Sequence, residues 1–277
     1  MTVTVITDTA ASIGRQLADE WNVRLAPLTI AVTGRTYRDT EIDLSNLPTG
    51  RITTSGPSPG DFLAAFSDAR DGAVIVTVAT SLSSTNASAR AAASASDLPV
   101  EIVDSGTAAG AQALVVLAAA ERAAQGGNVG EVAEAARAAA REVQLVGCLA
   151  SLDGLARSGR VPGLAALAAR MTGALFMFRL QGGSIRPIKP ATSRSAALDR
   201  MVDMCVSSGH AGLVADLVTL GDDAELRERL EQARDSGRLV IGRWYAGTFG
   251  TAITVYTGPH VTGLAWRWID AGSERRP

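Results

Sequence analysis

Short apolar runs alternate with hydroxyl-rich turns along the first half of the chain. Residues 3–6 run into Thr7-Asp8-Thr9, residues 73–78 into ATSLSST at 79–85, and residues 101–103 into Asp104-Ser105-Gly106-Thr107. Runs that are mainly apolar, without strict alternation, suit strands covered on both faces. Helical patterns follow each turn, so the order predicts a parallel α/β sheet. Ligands of such sheets sit beyond the carboxyl ends of the strands, which is where these hydroxyls fall. Residues 28–40, LTIAVTGRTYRDT, predict a small β-hairpin excursion turning at Thr33-Gly34. Residues 111–125 and 129–141 predict two Ala-rich helices broken at Gly126-Gly127-Asn128.

The pattern changes near residue 148. GLARSGRVPG, at 154–163, reads as an Arg-bearing loop, followed by a small-residue helix over 164–173. A strand at 175–180 turns at Gly182-Gly183 and returns over 185–188. Helices are expected over 195–206 and 224–236, and strands over 213–218, 238–244, 252–256 and 264–268. The expectation is therefore two domains: an α/β domain over 1–148 and an α+β domain built on hairpins over 149–277.

Composition narrows the function. Of 277 residues 47% are hydrophobic but only 4% aromatic, so Ala, Val and Leu must fill the core. The 26 basic and 28 acidic residues leave a net charge of −2, and no basic run marks a nucleic-acid surface. Cys148 and Cys205 lie far apart, which suits buried thiols in a reducing compartment better than a disulfide or a zinc site. The first residues read as a strand and not a signal peptide, and no apolar run reaches bilayer length. The expected location is the cytoplasm, with no integral membrane segment.

The candidate chemistry centres on TTSGPSPGDF, residues 53–62. Ser58 stands three residues before Asp61 with Pro59 between them, the spacing of a capping box. Thr54 and Ser55 fall outside that cap, and the serines of SLSST outnumber what one cap needs. Two helix N-termini and spare hydroxyls at one sheet edge make a carboxylate or phosphate site that needs no lysine. No P-loop, dinucleotide fingerprint or G-x-S-x-G is present, and the two histidines, His210 and His260, have no triad or metal-ligand spacing. A binding site without metal, cofactor or catalytic residue is the more economical reading.

At these residues the chain resembles the DegV family of fatty-acid-binding proteins. VITDTAAS (5–12), TTSGPSPGDF, TSLSST (80–85), the helix start within 102–120, LARSGRV (155–161) and YTGPHVTGLAW (256–266) are similar to the family's ordered motifs. The resemblance implies two domains with a long-chain fatty acid between them. Carried over by position, Thr54, Ser83 and the backbone N–H of Ser84 would hold the carboxylate, with Ser55 beside them. The family's histidine falls on Tyr256, and His260 replaces a glycine; both are carried as carboxylate candidates. Phe62, Met171, Phe176 and Phe178 are the candidate acyl contacts. Some family members serve a separate ATP-binding fatty acid kinase subunit, and Arg157 and Arg160 are the candidate docking residues for it. The alternatives are a hydrolase using Ser83 and His260, or a carrier of another anionic lipid.

Overall fold

The structure is a computed structural model that describes residues 3–43, 45, 50–159, 174–209, 213–221 and 224–270. Its first sheet is parallel, in the order β2-β1-β6-β7: β1 (Thr4–Asp8), β2 (Val23–Ala26), β6 (Ala73–Thr77) and β7 (Val100–Asp104). All five residues of β6, AVIVT, are buried, as a strand covered on both faces requires. Helices α2 (Pro59–Ala65) and α3 (Thr85–Ser94) cover one face, packing Phe62, Phe66, Ala89 and Ala92 on Ile6 and Ile75. Helices α4 (Ala109–Ala124) and α5 (Val129–Glu142) cover the other.

The predicted excursion is a three-stranded antiparallel sheet, β4-β3-β5, of β3 (Thr29–Val32), β4 (Arg35–Arg38) and β5 (Ile52–Ser55). The hydroxyl run at 53–55 is thus the end of a strand, fixed by pairing Thr54 with Ile30 and Ser55 with Thr29.

The second sheet has six strands in the order β10-β9-β8-β13-β11-β12: β8 (Gln144–Leu149), β9 (Leu175–Gln181), β10 (Ser184–Ala191), β11 (Leu213–Leu220), β12 (Ile241–Gly247) and β13 (Thr262–Asp270). It is antiparallel except where β11 meets β12. Helices α7 (Arg194–Ser207) and α8 (Ala224–Asp235) cover one face over Met177, Leu217, Leu264 and Trp266. The other face meets α4, which is why that helix is apolar nearly all round and buries all of residues 109–120. Because β8 is central to this sheet, we propose the division between the two units at Val143, just ahead of the boundary read from the sequence.

Two expectations need correcting. The first part of the predicted loop at 154–163 is a helix, α6 (Asp153–Ser158), closed by Gly159 at φ +67°; residues 160–163 and the predicted helix at 164–173 lie outside the described residues. The predicted strand at 252–256 is a helix, α9 (Thr251–Thr257). Its β-branched run, TAITV, imitates a strand, but Gly250 and Gly258 close both ends and helical spacing turns Ala252, Ile253, Tyr256 and Thr257 toward one cavity.

Candidate functional site

The capping box forms as its spacing requires. Ser58 Oγ accepts the Asp61 N–H at 3.2 Å, and Asp61 accepts the Ser58 N–H at 2.7 Å. With Ser58 so engaged, Thr54 and Ser55 are presented ahead of the helix. The second hydroxyl turn lies against the first. A Cβ on Gly56 would fall 2.4 Å from Thr85 Oγ1, so only glycine lets the turns approach this closely. Thr85 Oγ1 is 2.8 Å from Ser83 Oγ, and the Thr85 N–H donates to Ser83 Oγ at 3.3 Å.

Tyr256, on α9 of the second unit, reaches this edge. Its hydroxyl accepts the Thr54 N–H at 3.1 Å and lies 2.9 Å from Thr54 Oγ1. When a phenol and an alcohol are linked in this way one donates to the other, and the acceptor can turn its own proton toward an anionic oxygen. Thr54, Ser55, Ser83 and Tyr256 line the polar end of a cavity of about 140 Å³ between the two units. That is roughly ten times the space a single water needs. Apart from Thr257 the rest of the wall is apolar, with Leu28, Val78 and Leu82 on one side and Leu145, Phe178, Leu180 and Phe249 on the other.

Two buried carboxylates shape the first wall. Asp8 accepts the N–H groups of Val78 at 2.8 Å and Ala10 at 3.1 Å, and Gln112 Nε2 at 3.2 Å. Thr9 Oγ1 accepts the Leu28 N–H at 2.9 Å and donates to Asp39 at 2.8 Å. Ala10, Leu28 and Val78 all line the cavity, so these acids hold three turns of its wall in place. Burial pushes each carboxyl up to about 6, against hydrogen bonds from Val78 for Asp8 and from Thr9 for Asp39 that pull the other way. The second unit is pinned at the β9–β10 turn, where Ser81 Oγ donates to the Gly183 carbonyl at 2.5 Å and the Gly183 N–H to the Gly106 carbonyl at 2.6 Å.

The family model described as "Uncharacterised protein, DegV family" matches residues 2–268. The chain belongs to the DegV family. A DegV domain-containing protein of Mycobacterium tuberculosis is 30% identical over 278 residues, covering 94% of this chain and 99% of its own. Among solved structures, a fatty-acid-binding DegV family protein from Thermus thermophilus superposes with a TM-score of 0.86 at 23% identity, over 97% of this chain and 100% of its own. The Streptococcus pneumoniae fatty acid kinase B3 protein, loaded with linoleic acid, does so with a TM-score of 0.80 at 21% identity, over 96% and 99%. At these identities the likeness establishes the DegV fold.

Within that fold the sequence-predicted residues fall into groups. Thr54, Ser55, Ser83, Tyr256 and Phe178 meet at the cavity. Ser84 is exposed beside it as the residue preceding α3, and its backbone N–H makes no hydrogen bond among the described residues. Phe176 lies beside Phe178 on the same face of β9, stacked on it with ring centroids 6.1 Å apart, but does not line the cavity. Phe62 does not reach the cavity. It is fully buried beneath α2, on the opposite face of the parallel sheet, because its helix packs there. His260 is exposed in the turn after α9 and is not part of the wall, since Gly258 ends the helix and directs the chain outward. Arg157 is exposed on α6; Met171 and Arg160 lie outside the described residues. Sequence reading missed Asp8, Thr9, Asp39 and Phe249. The Thr7-Asp8-Thr9 turn brought the first two into view but not their task, because their partners are distant in sequence.

No helix among the described residues is long and apolar enough to cross a membrane, and no group of metal-ligating side chains occurs among them.

Proposed function

We propose that this protein binds a long-chain fatty acid, its carboxylate held at Thr54, Ser55, Ser83, Tyr256 and the Ser84 N–H and its acyl chain in the apolar cavity. The observation that carries the reading is the junction of one polar edge with one apolar cavity. A carboxylate is expensive to remove from water unless several donors meet it, and hydroxyls with a helix-terminal N–H supply them without a cation. The apolar wall accounts for the tail, each buried methylene contributing ~0.8 kcal/mol. The fatty-acid-binding DegV protein of Thermus thermophilus and the Streptococcus pneumoniae kinase B3 protein loaded with linoleic acid support the same ligand class.

The role we propose is binding and not catalysis. Ser83 Oγ is engaged with Thr85, and His260 stands outside the cavity wall, so the hydrolase reading lacks a base beside its serine. The carboxylate end opens near exposed hydroxyls, which suits presentation to a separate ATP-binding kinase subunit. We propose Arg157 and Arg160 as the docking residues, since Arg157 is exposed on α6 and that helix packs on α9, which carries Tyr256.

The test is fatty acid affinity in Thr54→Val and Ser83→Ala. The reading expects each to weaken a fatty acid by about tenfold or more, as loss of a hydrogen bond to a charged group does. Wild-type affinity in both variants would remove the carboxylate site from these residues.

A further inference from the structure

Glycine is expected to be rare in the middle of a buried sheet, yet two lie side by side here. Gly147 on β8 and Gly263 on β13 are cross-strand partners, and Gly147 is also the partner of Phe178 on β9. Residues in register on neighbouring strands share a face, so both glycines leave the cavity-side face of the sheet bare. Neither has the positive φ that would call for glycine on backbone grounds. What they provide is space. A Cβ on Gly147 would lie 2.6 Å from Phe178 Cζ, and one on Gly263 would lie 2.7 Å from Phe249 Cζ. Carbon atoms in contact prefer separations of about 3.5–4.0 Å, so a methyl at either site would drive the ring off the sheet by about 1 Å. Both rings therefore rest tip-down on the bare floor, and both line the cavity.

Their place along the cavity follows from α9. Tyr256, at the hydroxyl end, is six residues beyond the N-cap Gly250, or about 9 Å along the helix axis. Phe249 precedes that cap and so lies at the far end from the hydroxyls.

We infer that Phe178 and Phe249, resting on the Gly147–Gly263 floor, set how long an acyl chain the cavity accepts. The inference rests on the fatty-acid reading of the cavity. Rings seated low leave room for the tail above them. Removing a ring lengthens the cavity across the glycine floor, and adding a methyl beneath one raises it into the tail's path.

The test is the affinity of the full chain for saturated acids from decanoic to icosanoic, with melting temperature as a fold control. In the wild-type protein affinity rises about fourfold per methylene until the tail meets the rings, then levels. Phe249→Ala, and Phe249→Leu should the first variant fail to fold, moves that break toward longer acids by two or more methylenes. Gly147→Ala moves it toward shorter acids, with at least a tenfold loss for acids beyond the new break. A break at the same length in every folded variant overturns the inference and leaves the fatty-acid reading intact. A wild-type protein that binds none of the acids overturns both.

Discussion

Replacing Tyr256 with Phe removes one oxygen from the proposed head-group site and leaves the ring that packs in the cavity wall. That oxygen accepts the Thr54 N–H at 3.1 Å and pairs with Thr54 Oγ1 at 2.9 Å. Each neutral hydrogen bond is worth about 0.5–1.5 kcal/mol net, so the unliganded protein loses about 1–3 kcal/mol. Ligand affinity falls for a second reason. A hydrogen bond to a charged group is worth about 1.5–3 kcal/mol, so a carboxylate loses roughly tenfold to a hundredfold in affinity. The assay is a comparison of a fatty acid with the alcohol of the same chain length, on both proteins. The tail contribution cancels between the two ligands, which isolates the head group. Tyr256→Phe should weaken the acid by at least tenfold more than the alcohol. Equal losses for both ligands would show that Tyr256 acts on the tail or the fold, and the argument for its hydroxyl would fail.

Three further outcomes are expected. Gly56→Ala forces a methyl to within 2.4 Å of Thr85 Oγ1 and should lower stability by about 1–3 kcal/mol, measured by urea denaturation; an unchanged midpoint would mean that the two hydroxyl turns are not held in contact. Asp39, with its carboxyl pushed up to about 6, binds its proton more tightly folded than unfolded, so the stability it contributes is complete below about pH 4 and declines as pH rises through 6. Stability of Asp39→Asn relative to wild type should therefore improve between pH 5 and pH 7.5, by about 1.4 kcal/mol, and a difference independent of pH would contradict the shift. Asp216 is buried between Arg243 at 2.8 Å and Arg267 at 2.9 Å; burial alone would raise its carboxyl, but the two guanidinium groups outweigh it and hold it low. Asp216→Asn leaves Glu121, at 3.1 Å from Arg243 and 3.7 Å from Arg267, to balance both guanidinium groups and should cost about 3 kcal/mol, and a thermal shift of only a degree or two would refute that.

The parts of the fold written in local patterns were legible. The capping box at Ser58 and Asp61, the apolar run of β6 and the Gly182-Gly183 turn each depend on neighbours in sequence. What failed depended on distant partners. TAITV reads as a strand until the glycines at its ends and the cavity on one side are known, and LARS reads as a loop although α6 packs on α9, where a Cβ at Gly154 would fall 2.1 Å from the Tyr256 carbonyl oxygen. The site divides in the same way. Thr54 and Ser83 stood out as hydroxyls with no local task, and the resemblance to the DegV family drew attention to Tyr256. Phe62 looked equally suited to an acyl chain, because nothing in a sequence says which face of a sheet a helix covers. Asp8 and Asp39 gave no spacing to read, since their partners at Val78, Gln112, Thr9 and Leu28 come together only on folding.

The central claim is that the cavity holds a fatty acid by its carboxylate. The most direct measurement is mass spectrometry of the lipid released when purified protein is denatured, followed by titration of the delipidated, refolded protein with the acid so identified. The account predicts close to one fatty acid per chain at extraction and saturation at one equivalent on titration, with binding weakened in Thr54→Val. No fatty acid at extraction and none taken up by the folded protein would contradict it.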